Sequence, residues 1–318
     1  SNPFCYDPWE FFYKSKICFG YSWGYFVNSY FRLMRRILVT VSLFIALNIN
    51  AQGSDTLKVR RGITHAVLIS SATGSLLALN QVWYASYGTE NFHFFNDSKQ
   101  WMQMDKLGHA FTGYMITNEV NRLHYWAAGK RQPWVGAVYA LSYLSALELM
   151  DGFSSGWGFS GSDMLANGVG VGIAFSQDHF FKRQLIIPKF SFSRSTYAMV
   201  RPEILGSSYA EQLLKDYNGQ TYWLSVPITS FLNLPKGFKW ICISLGYGCD
   251  AKLVGSQNAW NGFNARRQVY LSFDIDCSSL APRHPKLSKV LTHLNLIKVP
   301  FPSLEFSSDK TRFHWISF

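Results

Sequence analysis

Three short-spaced polar pairs interrupt an otherwise apolar stretch. Asp105 and His109 are four residues apart in "MDKLGHAFTGY". Glu148 and Asp151 are three apart in "LELMDG", and Asp163 and Asn167 are four apart in "SDMLAN". On a helix such spacings put both members of a pair on one face. Charge buried without a partner is costly, so pairs carried on apolar helices are expected to meet one another. A histidine among carboxylates can act as a general acid–base set, because proximity and burial move the pKa values toward neutrality. The same set could hold a divalent cation through one nitrogen and several oxygens.

Asp105, His109, Glu148, Asp151 and Asp163 are therefore the candidate catalytic residues, with Lys106 and Asn167 in support. Lys106 could bind a phosphate or neutralise an acid. Each residue also has a structural reading. Asp105 can cap the helix it starts. Ser160 and Asp163 fit an S-x-x-D capping box, and Glu148 could form an ion pair with Lys106 or His109. His65, His124 and His179 lack comparable neighbours and read as surface or packing residues.

The elements that must position these groups are helices. Apolar periodicity predicts four, over about 64–85, 105–127, 134–151 and 162–176. Pro133 opens the third and Gly152 closes it. Gly168, Gly170 and Gly172 recur at intervals that let helices approach closely. None of the four reads as a clean apolar span of 20 residues, the length a bilayer requires. After Lys182 the period changes from 3.6 to 2. "KFSFSR", "WICISLGYG" and "FHWISF" alternate, and "RQVYLSFDID" sets Val269, Leu271, Phe273 and Ile275 against Gln268, Tyr270, Ser272 and Asp274. Asn218–Gly219 is a turn signal. About six strands are expected, few for an independent closed barrel. The segment "PKLSKVLTHLNLIKVP" gathers Leu287, Val290, Leu291, Leu294 and Ile297 on one helical face, with Lys286, Lys289, His293 and Lys298 off it. It reads as a basic amphipathic helix that lies on a membrane surface or packs on the sheet with its lysines in water. The fold class is α+β, a bundle of about four apolar helices followed by an antiparallel β region.

The 318 residues are 48% hydrophobic, 17% aromatic and only 15% charged, with a net charge of +11. The basic residues are scattered, without a nucleic-acid-binding motif, so nucleic acid is not expected as a partner and a membrane or envelope lipid is. "MRRILVTVSLFIALNINA", Met34 to Ala51, has the two arginines, short apolar run and small terminal residue of a secretory signal peptide. Residues 1–33 read as an upstream or mis-called segment, 34–51 as the signal peptide, 52–183 as the helical domain and 184–318 as the β-rich region. Removing 1–51 takes away five of 30 basic and two of 19 acidic residues, leaving 25 − 17 = +8. Export to the periplasm or outer membrane is expected. Cys242, Cys249 and Cys277 remain, an odd number, so at least one thiol is free. No cysteine stands directly after Ala51, so a lipid anchor is not expected at that junction. There is no Gly-rich phosphate loop, G-x-S-x-G elbow or H-E-x-x-H motif.

"MDKLGHAFTGY" followed by "LELMDGFSSGWGFSGSDMLANGVGVGIA" resembles the YfiM-like family of predicted periplasmic lipoproteins of unknown function. The order D-K-x-x-H, E, D-x-x-x-N-x-x-G is similar, more distantly, to VanZ-like membrane proteins. Asp105, Lys106, His109, Glu148, Asp163, Asn167 and Gly170 carry the likeness. With "FHFFND" and "KDYNGQTYWLS", the chain from Val82 onward resembles a longer secreted form found in Bacteroidetes. The resemblance implies an envelope protein but no assigned reaction. Two functions follow. The cluster acts on a lipid-linked or cell-wall substrate, with or without a divalent metal. Alternatively the protein is a non-enzymatic membrane-associated structural or binding protein, and the cluster only fixes helix packing.

Overall fold

The computed structural model describes residues 54–80, 88–233, 235–280 and 284–317. The expected upstream segment and signal peptide lie outside them, as do the last residues of the helix expected over 64–85. Four long helices come first: α1 (Ser54–Leu79), α2 (Met104–Ala128), α3 (Trp134–Gly152) and α4 (Gly161–Ser176). Three short ones follow β1: α5 (Tyr197–Val200), α6 (Pro202–Leu205) and α7 (Tyr209–Lys215). α8 (Pro285–Leu294) precedes the last two strands. The strands are β1 (Ile187–Phe192), β2 (Gln220–Pro227), β3 (Ile241–Asp250), β4 (Ala259–Trp260), β5 (Phe263–Asn264), β6 (Arg266–Ile275), β7 (Phe301–Ser307) and β8 (Thr311–Ser317). The fold is α+β.

Contacts divide the chain into two compact units, Ser1–Val67 and Leu68–Phe318, with the boundary inside α1. This helix starts ten residues before its predicted position. Its stretch Thr56–Leu79 is, among the described residues, the one helix long and apolar enough to cross a membrane by length and composition.

Helices α2, α3 and α4 pack on one another. Their crossings are close because glycines face backbone. A Cβ on Gly170 would lie 1.9 Å from the Ala110 carbonyl oxygen, one on Gly113 2.7 Å from that of Asn167, and one on Gly136 2.3 Å from that of Thr117. Gly168 and Gly172 face open space. Of the three glycines expected at the helix contact, only Gly170 is there, because residues two apart point to different sides of a helix.

The helix ends follow local chemistry. Ser160 caps α4, its hydroxyl accepting from the Asp163 N–H at 3.1 Å. Gly129, at φ 68°, ends α2. The start of α2 is unusual: Trp101, Met102 and Gln103 all lie in the left-handed region, at φ 48°, 54° and 64°. Such a run is strained for residues with a side chain, by about 1–2 kcal/mol each. Met102 and Met104 are buried, and the Tyr247 hydroxyl donates to the Met102 carbonyl at 2.7 Å, so packing holds the turn.

The main sheet has six strands, all antiparallel, in the order β1-β2-β3-β6-β7-β8. β1 also hydrogen-bonds the segment leading into β7: Phe190 N–H to Leu296 O at 2.9 Å and Lys298 N–H to Phe190 O at 3.0 Å. Asn218–Gly219 forms a turn, as expected, but between α7 and β2 rather than in a tight hairpin, since α5–α7 separate β1 from β2. The sheet is polar inside. Along β6, Tyr270, Ser272 and Asp274 are buried, while Val269, Leu271 and Phe273 are exposed. Leu287, Val290, Leu294 and Ile297 of the amphipathic segment are also exposed. Lys298, expected in water, is buried within 3.9 Å of Asp274, and its ammonium donates to the Phe273 carbonyl at 2.8 Å. Its place in the segment that bridges to β1 decides this, and helical periodicity past Leu294 could not show it. Cys242, Cys249 and Cys277 are all free and buried.

Candidate functional site

The N-terminal turns of α2 and α4 and the end of α3 bring the candidate residues together. His109 Nε2 lies 3.7 Å from Asp105 Oδ1 and 3.7 Å from Asp163 Oδ1. Its other nitrogen, Nδ1, is 3.1 Å from Asn167 Oδ1 and 3.6 Å from Glu148 Oε1. The two edges of one imidazole thus face different partners. Nδ1–H donates to the Asn167 amide oxygen, which fixes the ring and leaves Nε2 facing two aspartates. Second-sphere hydrogen bonds of this kind set the tautomer of a working histidine.

Asp105 does not cap α2. The cap position belongs to Gln103, and the Asp105 carboxylate turns toward His109 and Lys106. Asp163 also goes beyond the capping role: its N–H is capped by Ser160, while its side chain meets Lys106 and His109. The Lys106 ammonium sits among three carboxylates, 2.7 Å from Asp97, 2.8 Å from Asp105 and 2.6 Å from Asp163. Glu148 is 1% exposed, accepts from the Ser160 N–H at 3.4 Å through Oε2, and has no hydrogen-bond partner on Oε1. The Asn167 amide nitrogen is likewise buried without a partner. His109 and Asp105 keep about a quarter of their side-chain surface open, at 25% and 22%, so the cluster is partly exposed. Asp151, half-buried near the end of α3, acts on Glu148 through its charge.

The electrostatics follow from this arrangement. Burial pushes Glu148 up to about 8, with the charges of Asp163 and Asp151 adding to it against the opposing pull of His109. Burial and the Asp105 charge push Asp163 up to about 6, against His109 and Lys106. Burial opposes charge on His109, but Asp105, Asp163 and Glu148 together outweigh it and hold the imidazole above its usual value. Lys106 is raised for the same reason. Asp97 goes the other way: its burial is overcome by Lys106, Ser160 and Ser162, which bring it down to about 2. Two carboxyls that titrate near neutrality flank a single imidazole. Groups with pKa values driven apart in this way are what acid–base chemistry needs.

Two participants have no signal in the short-spaced pairs. Asp97 arrives through an extended segment: His93 N–H bonds Gly152 O at 2.9 Å, and Phe95 N–H bonds Phe159 O at 3.0 Å. Phe92 packs on Gly152, where a Cβ would lie 2.3 Å from the ring. "FHFFND", which contains Asp97, is visible in the sequence, but nothing in its spacing points to Lys106. Tyr217, far along the chain, donates its hydroxyl to Asp105 Oδ1 at 3.1 Å. Of the other histidines, His124 is buried with Nε2 2.9 Å from Gln132 Oε1, and His179 stacks on Phe175.

Asp105, His109 and Asp163 can each offer one ligand atom, all within 4.8 Å of one another. One imidazole nitrogen and two carboxylate oxygens suit a divalent transition metal or zinc. The Lys106 ammonium, 2.6 Å from the same Asp163 oxygen, competes for that position.

Residues 92–178 match a family model described as a predicted periplasmic lipoprotein (DUF2279). The matched segment runs from Phe92, on the extended segment, to Asp178 just past α4, and contains every candidate site residue. The description agrees with an exported protein of the periplasm or outer membrane. No curated protein and no solved structure matches the chain.

Proposed function

We propose that the protein is a membrane-associated envelope enzyme, similar to the YfiM-like and VanZ-like proteins, whose helical region 52–183 carries the reaction centre. The cluster of Asp105, His109, Glu148 and Asp163 moves a proton on a lipid-linked or cell-wall substrate. His109 Nε2 is the proton carrier. Asp105 and Asp163 hold the imidazolium, Asn167 orients the ring, and Glu148 and Asp151 adjust its charge from behind. One observation supports this above the rest: a single, partly exposed imidazole lies between two aspartates on its Nε2 side and a buried, half-unpartnered glutamate on the other. A divalent cation bound by Asp105, His109 and Asp163 would supply a Lewis acid at the same spot, with Lys106 displaced from it.

The close glycine contacts favour a second reading. Gly170 meets Ala110, one residue from His109, so the cluster sits at the helix crossing and could serve to lock its register. Complementation of a deletion strain separates the two. On the enzymatic reading, His109→Ala and Glu148→Gln abolish complementation while folded protein accumulates normally. Full complementation by both variants refutes it, and loss of folded protein in both supports the register lock. Metal analysis of the purified protein tests the cation.

A further inference from the structure

The six-stranded sheet is inverted in polarity. One row of paired residues runs outward across five strands: Leu224, Leu245, Leu271, Leu304 and Phe313. All five are exposed. The neighbouring row, one residue along each strand, runs inward: Ser225, Ser244, Ser272, Ser303 and His314. The four serines are buried, and His314 is bound to buried Glu305 at 2.7 Å. Behind them Lys189 and Asp274, both fully buried, form an ion pair at 2.9 Å, and Ser225 donates to Asp274 at 2.7 Å. A sheet in water places these rows the other way round. Apolar-out and polar-in alternation belongs to strands whose outer solvent is hydrocarbon.

The extent and surroundings of the band also point to lipid. Four inter-strand steps of about 4.8 Å make the row about 19 Å wide. Ile243 and Phe273 flank it, with Val269 and Phe306 on the other side, so the exposed apolar residues form a band several residues deep across the strands. β3 and β6 are ten residues long, close to the length a membrane-facing strand needs. The bridge from β1 to the lead-in of β7 covers one end of the ladder. Leu287, Val290 and Leu294 add exposed apolar residues on α8, and the basic net charge, +11 over the full sequence, complements anionic headgroups. A second copy of the chain would cover one flat patch. Apolar surface spread over a sheet and a separate helix fits a fluid partner.

We propose that the outward face of the β2–β3–β6–β7–β8 sheet is seated in the hydrocarbon of a bilayer. This deepens the membrane half of the function proposed above and is independent of the chemistry at His109. The test uses the full chain with vesicles of phosphatidylethanolamine and phosphatidylglycerol, either ordinary or brominated on the acyl chains. Trp315, 78% exposed beside Phe313, is the reporter. The expected result is that brominated chains quench part of the tryptophan emission, and that this part is missing from Trp315→Phe. Co-flotation with ordinary vesicles should survive high salt and be lost in Leu245→Arg/Leu271→Arg. Equal quenching of the wild type and Trp315→Phe overturns the proposal. So does release by salt alone, or a soluble dimer in which Trp315 is shielded from the brominated chains. Should the double-arginine variant not fold, the Trp315 comparison still decides. His109→Ala must quench like the wild type, so a failure of the catalytic reading stays distinguishable from a failure of this one.

Discussion

Replacing Glu148 by Gln should stabilise the protein at neutral and alkaline pH and leave it unchanged in acid. In the unfolded chain this carboxyl ionises near its ordinary 4.5, whereas in the fold burial pushes it up to about 8. Below about pH 4.5 both states hold the proton and Glu148 contributes nothing to the pH dependence. Between about 4.5 and 8 the unfolded chain releases a proton that the folded protein keeps, so stability falls as pH rises. Above about 8 the loss is complete. The full difference, (8 − 4.5) at about 1.36 kcal/mol per pH unit, is about 5 kcal/mol as an upper bound. Glu148 also helps to raise His109, whose own stabilisation is present in acid and is lost as pH rises through its folded value. Glutamine gives up that help, so the net gain stays below this bound. Each kcal/mol moves the Tm of a unit this size by about 2–4 °C. Thermal unfolding of both proteins in mild detergent, followed by circular dichroism across this pH range, reads the difference directly. The Glu148→Gln curve should flatten and cross above the wild type. Parallel curves, or a less stable variant at alkaline pH, would show that Glu148 is ionised and paired in the native protein, and the reasoning would fail.

Three further outcomes follow from the same geometry. Gly170→Ala should cost about 3 kcal/mol or more in a urea titration, because its Cβ would lie 1.9 Å from the Ala110 carbonyl oxygen. Gly168→Ala, facing open space, should instead gain up to about 1 kcal/mol from helix propensity. Asp97→Asn should cost about 2 kcal/mol near neutral pH, the difference between the ordinary 3.8 and about 2 at about 1.36 kcal/mol per pH unit. That stability is present above about pH 3.8 and is lost as pH falls toward 2, so the variant and the wild type should converge in acid unfolding curves. Lys106→Met removes the ammonium among Asp97, Asp105 and Asp163, and should weaken the apo protein while tightening binding of cobalt(II) followed by its visible absorption.

The sequence determined the local pieces. Spacings of four placed Asp105 with His109, and Asp163 with Asn167, on shared helix faces, and period-2 alternation marked the strands, because these patterns depend only on backbone geometry. The S-x-x-D start of α4 is readable for the same reason, its cap being three residues from its partner. Tertiary structure decided the rest. Asp97 and Tyr217 reach the cluster through segments distant in the chain, and no spacing rule encodes a contact between them and Lys106 or Asp105. Which glycine meets a neighbouring helix depends on the crossing point, so Gly170 differs from Gly168 and Gly172. Alternation showed that the strands have two faces, but not which one is inside. That depended on where Lys189, Lys298 and Asp274 could satisfy one another, since charges that find partners across strands can be buried, and the leucines opposite are then turned outward.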